Sequence, residues 1–118
     1  MNASTIFTDC KNLEEVISLG EITEFNTEDT KYNFFGIFER CSNLTTVNLP
    51  NVRNLPERIF INTTSLMHIN FPSTITSIGS RAFWNTLLTN KVMYFPNVTK
   101  LGLYGTFASN SGFHIYLP

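Results

Sequence analysis

The side chains that could take part in catalysis are few in this chain, and their spacing does not suit it. The only acids adjacent in sequence are Glu14-Glu15 and Glu28-Asp29. Neighbours on a strand point to opposite sides, so Glu14 and Glu15 should not cooperate as an acid and a base. The sequence also lacks a Gly-x-Ser-x-Gly turn, a phosphate-binding glycine loop and a His-Glu-x-x-His motif. We therefore expect a protein that is not an enzyme and that uses no cofactor.

The cysteines and histidines do not have the spacing of a metal site, and we expect no bound metal. The chain contains a sequence repeat, and Cys10 and Cys41 occupy the same position in its first two copies. Stacked copies would place the two cysteines about one strand spacing (~5 Å) apart. Two interpretations stay open: an internal column of small residues that includes the thiols, or a disulfide. His68 and His114 lie two repeats apart, ~10 Å, too far to share a metal ion. Each is either an ordinary solvated histidine or a pH sensor.

An apolar–x–apolar phrase recurs five times and is followed by proline in four copies. The third residues of successive copies are 30, 22, 24 and 22 positions apart. A period in the low twenties is typical of a solenoid, in which one coil is too small to bury its own apolar face. The five copies are Ile17-Ser-Leu19, Val47-Asn-Leu49, Ile69-Asn-Phe71, Met93-Tyr-Phe95 and Ile115-Tyr-Leu117.

A phenylalanine keeps step with the phrase and marks the start of each coil. Within a coil, polar and apolar residues alternate across Thr46-Val47-Asn48-Leu49, which predicts a short half-buried strand that Pro50 ends. An apolar pair such as Val52 and Leu55 then returns the chain along the other side. We predict a mainly β solenoid of about five coils, with a short parallel sheet on one face and little regular helix. The recurring phenylalanines are Phe7, Phe38, Phe60, Phe83 and Phe107.

Length and composition exclude several classes of protein. The 118 residues form one domain at most, so we treat 1–118 as a single solenoid domain. A net charge of −1 predicts no nucleic-acid binding, and the apolar runs are too short for membrane insertion. The first residues lack the basic and apolar regions of a secretory signal. We expect either a chain that is not exported by that route or a processed piece.

Residues 26–36 interrupt the repeat as an insertion. Phe25 and Phe38 are thirteen residues apart, whereas Leu55 and Phe60 are five apart. Insertions in solenoids often carry binding residues, although a surface loop also tolerates extra length at little cost. The candidate binding residues in this loop are Glu28, Asp29 and Tyr32.

The repeat resembles that of a known family, the BspA-type leucine-rich repeat. The segments IFERCSNLTTVNLPNVRNL (37–55), SIGSRAFWNT (77–86) and VMYFPNVTKLG (92–102) follow its A-F-x-x-C-x-x-L-x-x-V-x-L-P and I-G pattern. The resemblance covers about Ile6 to Pro118 and departs from the pattern at the insertion, at the missing I-G pairs of the first two coils and at one-residue slips. It implies a leucine-rich-repeat solenoid, typically part of a surface adhesion or recognition protein, and it carries over no catalytic residues.

The strand register predicts which residues project from the sheet. These residues flank the middle apolar residue of each strand, beginning with Val16/Ser18 and Thr46/Asn48. Tyrosine combines apolar area with a hydrogen-bonding tip and suits interfaces, although it is also common on plain sheet surfaces. The candidate binding residues of the sheet face are His68, Asn70, Tyr94, His114 and Tyr116.

The leading functional hypothesis is a non-catalytic binding module of a surface adhesion or recognition protein, which presents its sheet to a protein or glycan. The resemblance implies a cell-surface or extracellular location. The alternative is a structural subunit, for example of a phage virion, that docks through exposed coil ends. Because the last phrase ends at Pro118 without a polar cap, we expect further repeats or neighbouring subunits to cover that end.

Overall fold

Ten short strands make up the regular structure of the protein. In the computed structural model, residues 2–3, 7–20, 22, 24–25, 36–88, 92–102, 106 and 114–118 are described, with the backbone alone at 2, 3, 92, 114 and 115. This part contains no helix, and hence none that could span a membrane. The strands are β1 (Asn2–Ala3), β2 (Glu15–Val16), β3 (Glu24–Phe25), β4 (Thr46–Asn48), β5 (Asn54–Leu55), β6 (His68–Asn70), β7 (Ser77–Ile78), β8 (Val92–Tyr94), β9 (Lys100–Leu101) and β10 (His114–Tyr116).

The strands pair in parallel along two sides of a solenoid, which confirms the predicted fold class. We number coils 1 to 5 from their initial phenylalanines. On the first side the order is β2-β4-β6 and, separately, β8-β10. On the second side β5-β7-β9 pair with one another, as do β1 and β3. The second set of strands is formed by the returning apolar pairs, for which the pattern indicated a change of direction but not a sheet.

The core lies between the two sides and is aliphatic and aromatic. Val47, Ile69 and Met93 point inward from the first side, and each is about 1% exposed. Leu55 and Ile78 meet them from the second side. Each Å² of apolar surface removed from water contributes ~25 cal/mol to stability. Neighbouring coils bury this surface against each other, so a single coil would not be stable without the stack.

The phenylalanines stack into a spine at the turn that joins the two sides. The ring centroids of Phe7 and Phe38 are 5.2 Å apart, those of Phe38 and Phe60 are 5.3 Å apart, and those of Phe60 and Phe83 are 5.9 Å apart. The rings are within 14° of parallel. Stacked aromatic pairs add ~0.5–1.5 kcal/mol to the burial of their surface. The spine therefore fixes the spacing of the coils.

Two residues after each of these phenylalanines, the backbone takes a left-handed conformation. Asp9, Arg40, Asn62 and Asn85 have φ values of 61°, 59°, 57° and 58°. This conformation costs a residue with a side chain ~1–2 kcal/mol. The adjacent coil offsets the cost, because the N–H of Asp9 donates to Glu39 O (2.9 Å) and that of Arg40 to Ile61 O (3.1 Å).

The close approach of successive coils explains the glycine of the I-G pair. A Cβ atom at Gly79 would lie 2.3 Å from the backbone N of Glu57, which is too close for any side chain. The Gly79 N–H meanwhile donates to Leu55 O at 2.8 Å. Glycine here lets the second side of coil 3 pack directly on the backbone of coil 2.

The predicted register of the first coil is wrong by one residue. We expected Val16 to project outward and Ile17 inward, but Val16 is 7% exposed and Ile17 is 70% exposed. Val16 pairs with Val47, and each of the two follows its spine phenylalanine by nine residues. The distance from the spine phenylalanine, which is anchored in the core, therefore sets the register. The apolar–x–apolar phrase predicts the wrong inward residue in this coil, because Val16, Ile17 and Leu19 around Ser18 are all apolar.

The internal column of small residues is present, and both cysteines are free thiols. The Sγ of Cys41 donates to Phe7 O at 2.8 Å, and the Oγ1 of Thr63 donates to Phe38 O at 2.9 Å. Each therefore satisfies a backbone carbonyl of the preceding coil. Burial raises the pKa of Cys41 to about 11, so its thiol stays protonated at neutral pH and is a poor nucleophile.

Candidate binding face

The outward surface of the first side is formed by alternate residues of its strands. In β6, Ile69 is buried while His68 and Asn70 are exposed. Asn48 is likewise exposed in β4. The row that contains these two asparagines runs across all five coils and changes in character along its length. Its members in coil order are Ile17, Asn48, Asn70, Tyr94 and Tyr116.

The first half of this row is a hydrogen-bonded ladder of amides. The Nδ2 of Asn48 donates to Ile17 O at 3.0 Å, and the Nδ2 of Asn70 donates to Asn48 Oδ1. The Nε2 of His68 lies 3.0 Å from Asn70 Oδ1. Since that oxygen can only accept, the hydrogen bond requires a proton on His68 Nε2. These contacts orient the three polar side chains before any ligand arrives.

The second half of the row is a pair of stacked tyrosines. The ring centroids of Tyr94 and Tyr116 are 4.9 Å apart, with 17° between their planes. Strands β8 and β10 pair with Tyr94 directly opposite Tyr116, which brings the rings together. The two residues nevertheless remain 65% and 53% exposed. Large aromatic surface is therefore fixed in place and open to solvent.

The two halves are separated where the sheet is interrupted. No ladder joins β6 to β8 among the described strands, and none of their Cα atoms lie within 8 Å of each other. The longer segment that precedes β8 explains the interruption. The core leucine and the inward strand residue are three positions apart in Leu66–Ile69 but five apart in Leu88–Met93. Leu88 is buried in place of the residue that the repeat predicts, and Leu87 is 59% exposed.

Coils 3 and 4 still pack together beneath the interruption. The ring of Phe71 meets that of Phe95 edge to face, with centroids 5.1 Å apart. The Leu87 N–H donates to Leu66 O at 2.9 Å, and β7 pairs with β9 on the second side. The interruption is therefore a feature of the outer surface, with an aromatic floor below it.

The chemistry available on this face is hydrogen bonding and apolar contact, with one carboxylate, Glu15, exposed in β2. From β4 to β10, the outward residues with described side chains are neutral amides, hydroxyls, phenols and one imidazole. The two described ion pairs lie elsewhere: Arg40 Nε is 2.7 Å from Asp9 Oδ1, and Arg40 Nη1 is 3.6 Å from Glu39 Oε2. No group of three or more potential metal ligands occurs among the described residues.

The structure places four of the five predicted sheet-face residues on this surface. His68 and Asn70 belong to the amide ladder, and Tyr94 and Tyr116 form the stack. His114 lies in β10 opposite Val92, with its side chain outside the description. The predicted loop residues Glu28, Asp29 and Tyr32 also lie outside the described residues. Sequence reasoning missed Asn48 as a ladder member, although it occupies the same repeat position as Asn70.

Comparison with known proteins identifies the repeat. The model of the BspA type leucine rich repeat region matches residues 3–114 in six copies. A search of curated proteins finds no significant match. Among solved structures, the chain is similar to a leucine rich cell surface protein from Faecalibacterium prausnitzii A2-165, with 21% identity and a TM-score of 0.67. The likeness covers 97% of this chain and 35% of that one. The ladders, the phenylalanine spine and the family match together show that this chain belongs to the BspA-type leucine-rich-repeat family.

Proposed function

We propose that this chain is a non-catalytic binding module that presents the outward row of its first side to a protein or glycan ligand at a cell surface. The observation that carries the proposal is the exposed Tyr94–Tyr116 stack beside an ordered amide ladder. Tyrosine is enriched in binding hot spots because it offers apolar area and a polar tip with few rotatable bonds.

Preorganisation supports this function. Ordering a flexible side chain on binding costs ~0.5–1.5 kcal/mol. Here each tyrosine ring is held by the other, and Asn70 is held by both His68 and Asn48. A ligand would therefore meet side chains that are already in place, so less of the contact energy is lost to ordering.

The cell-surface location is supported by the family and by the similar solved protein, whose description places it at the cell surface. The likeness covers only 35% of that protein. A ligand of the present chain is therefore part of the proposal and is not taken from that protein. The outward row from Ile17 to Tyr116 is uncharged, although Glu15 is exposed in the adjacent position of β2. Association through the row should therefore depend little on salt, because charge pairing would not steer the ligand.

The test is to probe the chain on arrays of extracellular proteins and of glycans. Tyr94→Ala with Tyr116→Ala should weaken the wild-type signals by about tenfold, the loss of ~1.4 kcal/mol. The matched control is Asn54→Ala with Lys100→Ala, two outward residues of the second side, and should bind as wild type does. Circular dichroism confirms that both variants are folded. A wild-type chain that binds nothing, or equal binding by both variants, contradicts the proposal.

A further inference from the structure

A groove lies at the corner of the solenoid that leads from the proline after each phrase into the second side. In coils 2, 3 and 4 a buried apolar residue anchors this corner, and the residues beside it are exposed or half-buried. The anchors are Val52, Ile75 and Val98. The groove encloses about 420 Å³, which is within the ~300–1,000 Å³ range of small-molecule sites. Its lining residues, all of them described, are Arg53, Thr74, Thr76 and Asn97.

The two threonines present oriented acceptor oxygens to the groove. Thr74 Oγ1 donates its proton to Val52 O at 2.7 Å, and Thr76 Oγ1 donates to Arg53 O at 3.2 Å. A hydroxyl has one donor hydrogen and two acceptor lone pairs. Because both hydrogens are held by carbonyls of the preceding coil, the lone pairs are what a ligand would meet.

Asn97 adds a side-chain amide to the same wall of the groove. Its Nδ2 donates one hydrogen to Ser73 O at 2.8 Å. The amide then keeps Oδ1 as an acceptor and one N–H as a donor. The neutral part of the groove is therefore richer in acceptors than in donors, and it suits a ligand that carries hydroxyl groups.

The guanidinium of Arg53 supplies the charge of the groove. Arg53 is exposed, and its side chain forms no ion pair or hydrogen bond within the described part of the chain. Its backbone is held in place, because the N–H of Thr76 donates to Arg53 O at 2.6 Å. The four lining residues include no acid. A guanidinium binds a carboxylate through two parallel hydrogen bonds, so the groove favours a carboxylate at this point.

We propose that this groove binds a small hydroxycarboxylate, an acid that carries hydroxyl groups beside its carboxylate. The carboxylate would accept hydrogen bonds from Arg53, and the hydroxyls would donate to the threonine oxygens and to Asn97 Oδ1. This site lies apart from the outward row of the first side and is independent of the function proposed for that row.

The acceptor oxygens separate this class from other ligands. Phosphate and sulfate bring mainly acceptor oxygens of their own, which would face the lone pairs of Thr74 and Thr76. A simple dicarboxylate pairs with Arg53 and leaves the same lone pairs without donors. A neutral polyol has the opposite mismatch, because its hydroxyls suit the threonines but supply no charge for Arg53. A hydroxycarboxylate matches both parts of the groove.

The test is an NMR titration of the isotope-labelled chain with malate and gluconate, and with succinate, glycerol and phosphate for comparison. Malate and succinate differ by one hydroxyl, so malate should bind about fivefold more tightly, the effect of one hydrogen bond. Glycerol, which lacks the carboxylate, and phosphate should each bind at least about fivefold more weakly than malate. Movement of the amide signals of Thr74, Thr76 and Asn97 locates the site.

Substitutions test each part of the groove separately. Arg53→Gln should weaken malate binding by about tenfold, and Thr74→Val with Thr76→Val should remove the preference for malate over succinate. Two matched controls should keep the affinity within about twofold. Lys100→Gln removes a cation of the second side that does not line the groove, and Thr99→Val removes a neighbouring hydroxyl that does not line it. Circular dichroism confirms that the variants are folded.

Four results would overturn the inference. Absence of binding by both hydroxy acids rules out the site, and succinate or phosphate that binds as tightly as malate rules out recognition of the hydroxyls. An equal loss in Lys100→Gln and Arg53→Gln would mean that general positive charge attracts the acids. An equal loss in Thr99→Val and the double threonine variant would rule out specific contacts. Tyr94→Ala with Tyr116→Ala should bind malate as wild type does, so this inference and the function proposed for the outward row fail separately.

Discussion

The two halves of the outward row differ at the surface more than in the described interior. In the described part of the chain, inward aliphatic residues and stacked phenylalanines continue from coil 1 to coil 4. Above them, the half on β2-β4-β6 carries hydrogen-bonded amides, and the half on β8-β10 carries stacked tyrosines. The change falls at the coil where two extra residues separate the core leucine from the strand. Packing constrains which residues can lie inside a solenoid. The outward residues are less constrained and can change in type, as they do where the pairing between β6 and β8 is interrupted.

The largest effect should come from the shared interior. Phe60→Ala removes a fully buried ring that stacks on both Phe38 and Phe83, and should lower the free energy of unfolding by ~3–5 kcal/mol. Phe83→Ala should cost a similar amount. Urea denaturation measures both. Hydrogen exchange should show lost protection in β4 and in β8 for either variant, and loss confined to one half would show that the halves are independent beneath the surface.

A smaller effect should follow from removing the interruption. Deleting Thr89 and Asn90 restores the three-residue spacing before Met93 and should let β6 and β8 pair. Two new backbone hydrogen bonds at ~0.5–1.5 kcal/mol each would raise the free energy of unfolding by ~1–3 kcal/mol. Urea denaturation and slower amide exchange at β8 would report the gain. A variant without added protection at β8 would show that the spacing is not the cause of the interruption.

Energetic coupling should distinguish contacts within one half from contacts between the halves. Asn48→Ala and Asn70→Ala should each cost ~1 kcal/mol and couple by at least ~0.5 kcal/mol, because they share a hydrogen bond. Asn70→Ala and Tyr116→Ala lie on opposite sides of the interruption and should add within ~0.5 kcal/mol. Double-mutant cycles from urea denaturation decide this. Strong coupling between Asn70 and Tyr116 would mean that the halves act as one surface.

The smallest effect concerns pH and arises at the spine turn of coil 2, the coil that carries β4 of the amide half. Burial raises the pKa of Glu39 above its ordinary 4.5, so the folded state binds this proton more tightly than the unfolded chain. Stability therefore falls as pH rises from about 4.5 through the folded pKa. Glu39→Gln should remove that decrease, as measured by urea midpoints between pH 4.5 and 7. An unchanged pH dependence in the variant would assign the effect to another group.

Asp9 responds in the opposite direction. Its hydrogen-bonded ion pair with Arg40 lowers the pKa of Asp9, so its contribution is present above its ordinary 3.8 and is lost as pH falls. The Asp9 effect therefore lies below the pH range in which Glu39 acts. Measurements above pH 4.5 consequently report on Glu39 with little interference from this pair.

The repeat in the sequence was sufficient to predict the parallel solenoid, because spacing alone determines which residues stack. It also placed His68, Asn70, Tyr94 and Tyr116 in positions that the structure shows to be exposed. Their role in binding stays a prediction. The interruption could not be predicted, because Leu88 and Thr89 compete for one core position and only packing shows that Leu88 occupies it. The pattern also predicts the wrong face for Val16, because Val16 and Ile17 are both apolar and only packing shows that Val16 is the buried one.

Successive coils are joined by different numbers of strand ladders, and this difference has a mechanical consequence. Coils 2 and 3 are joined by ladders on both sides, whereas coils 3 and 4 are joined by a ladder on the second side alone. Tension along the solenoid axis loads every junction equally, so the junction with fewer bonds should open first. Among the described strands, coils 1 and 2 and coils 4 and 5 are likewise joined by one ladder each. Under force, these singly joined junctions should open while coils 2 and 3 stay closed, a step that single-molecule pulling can measure. The position of the interruption would then be one of the points at which the protein yields.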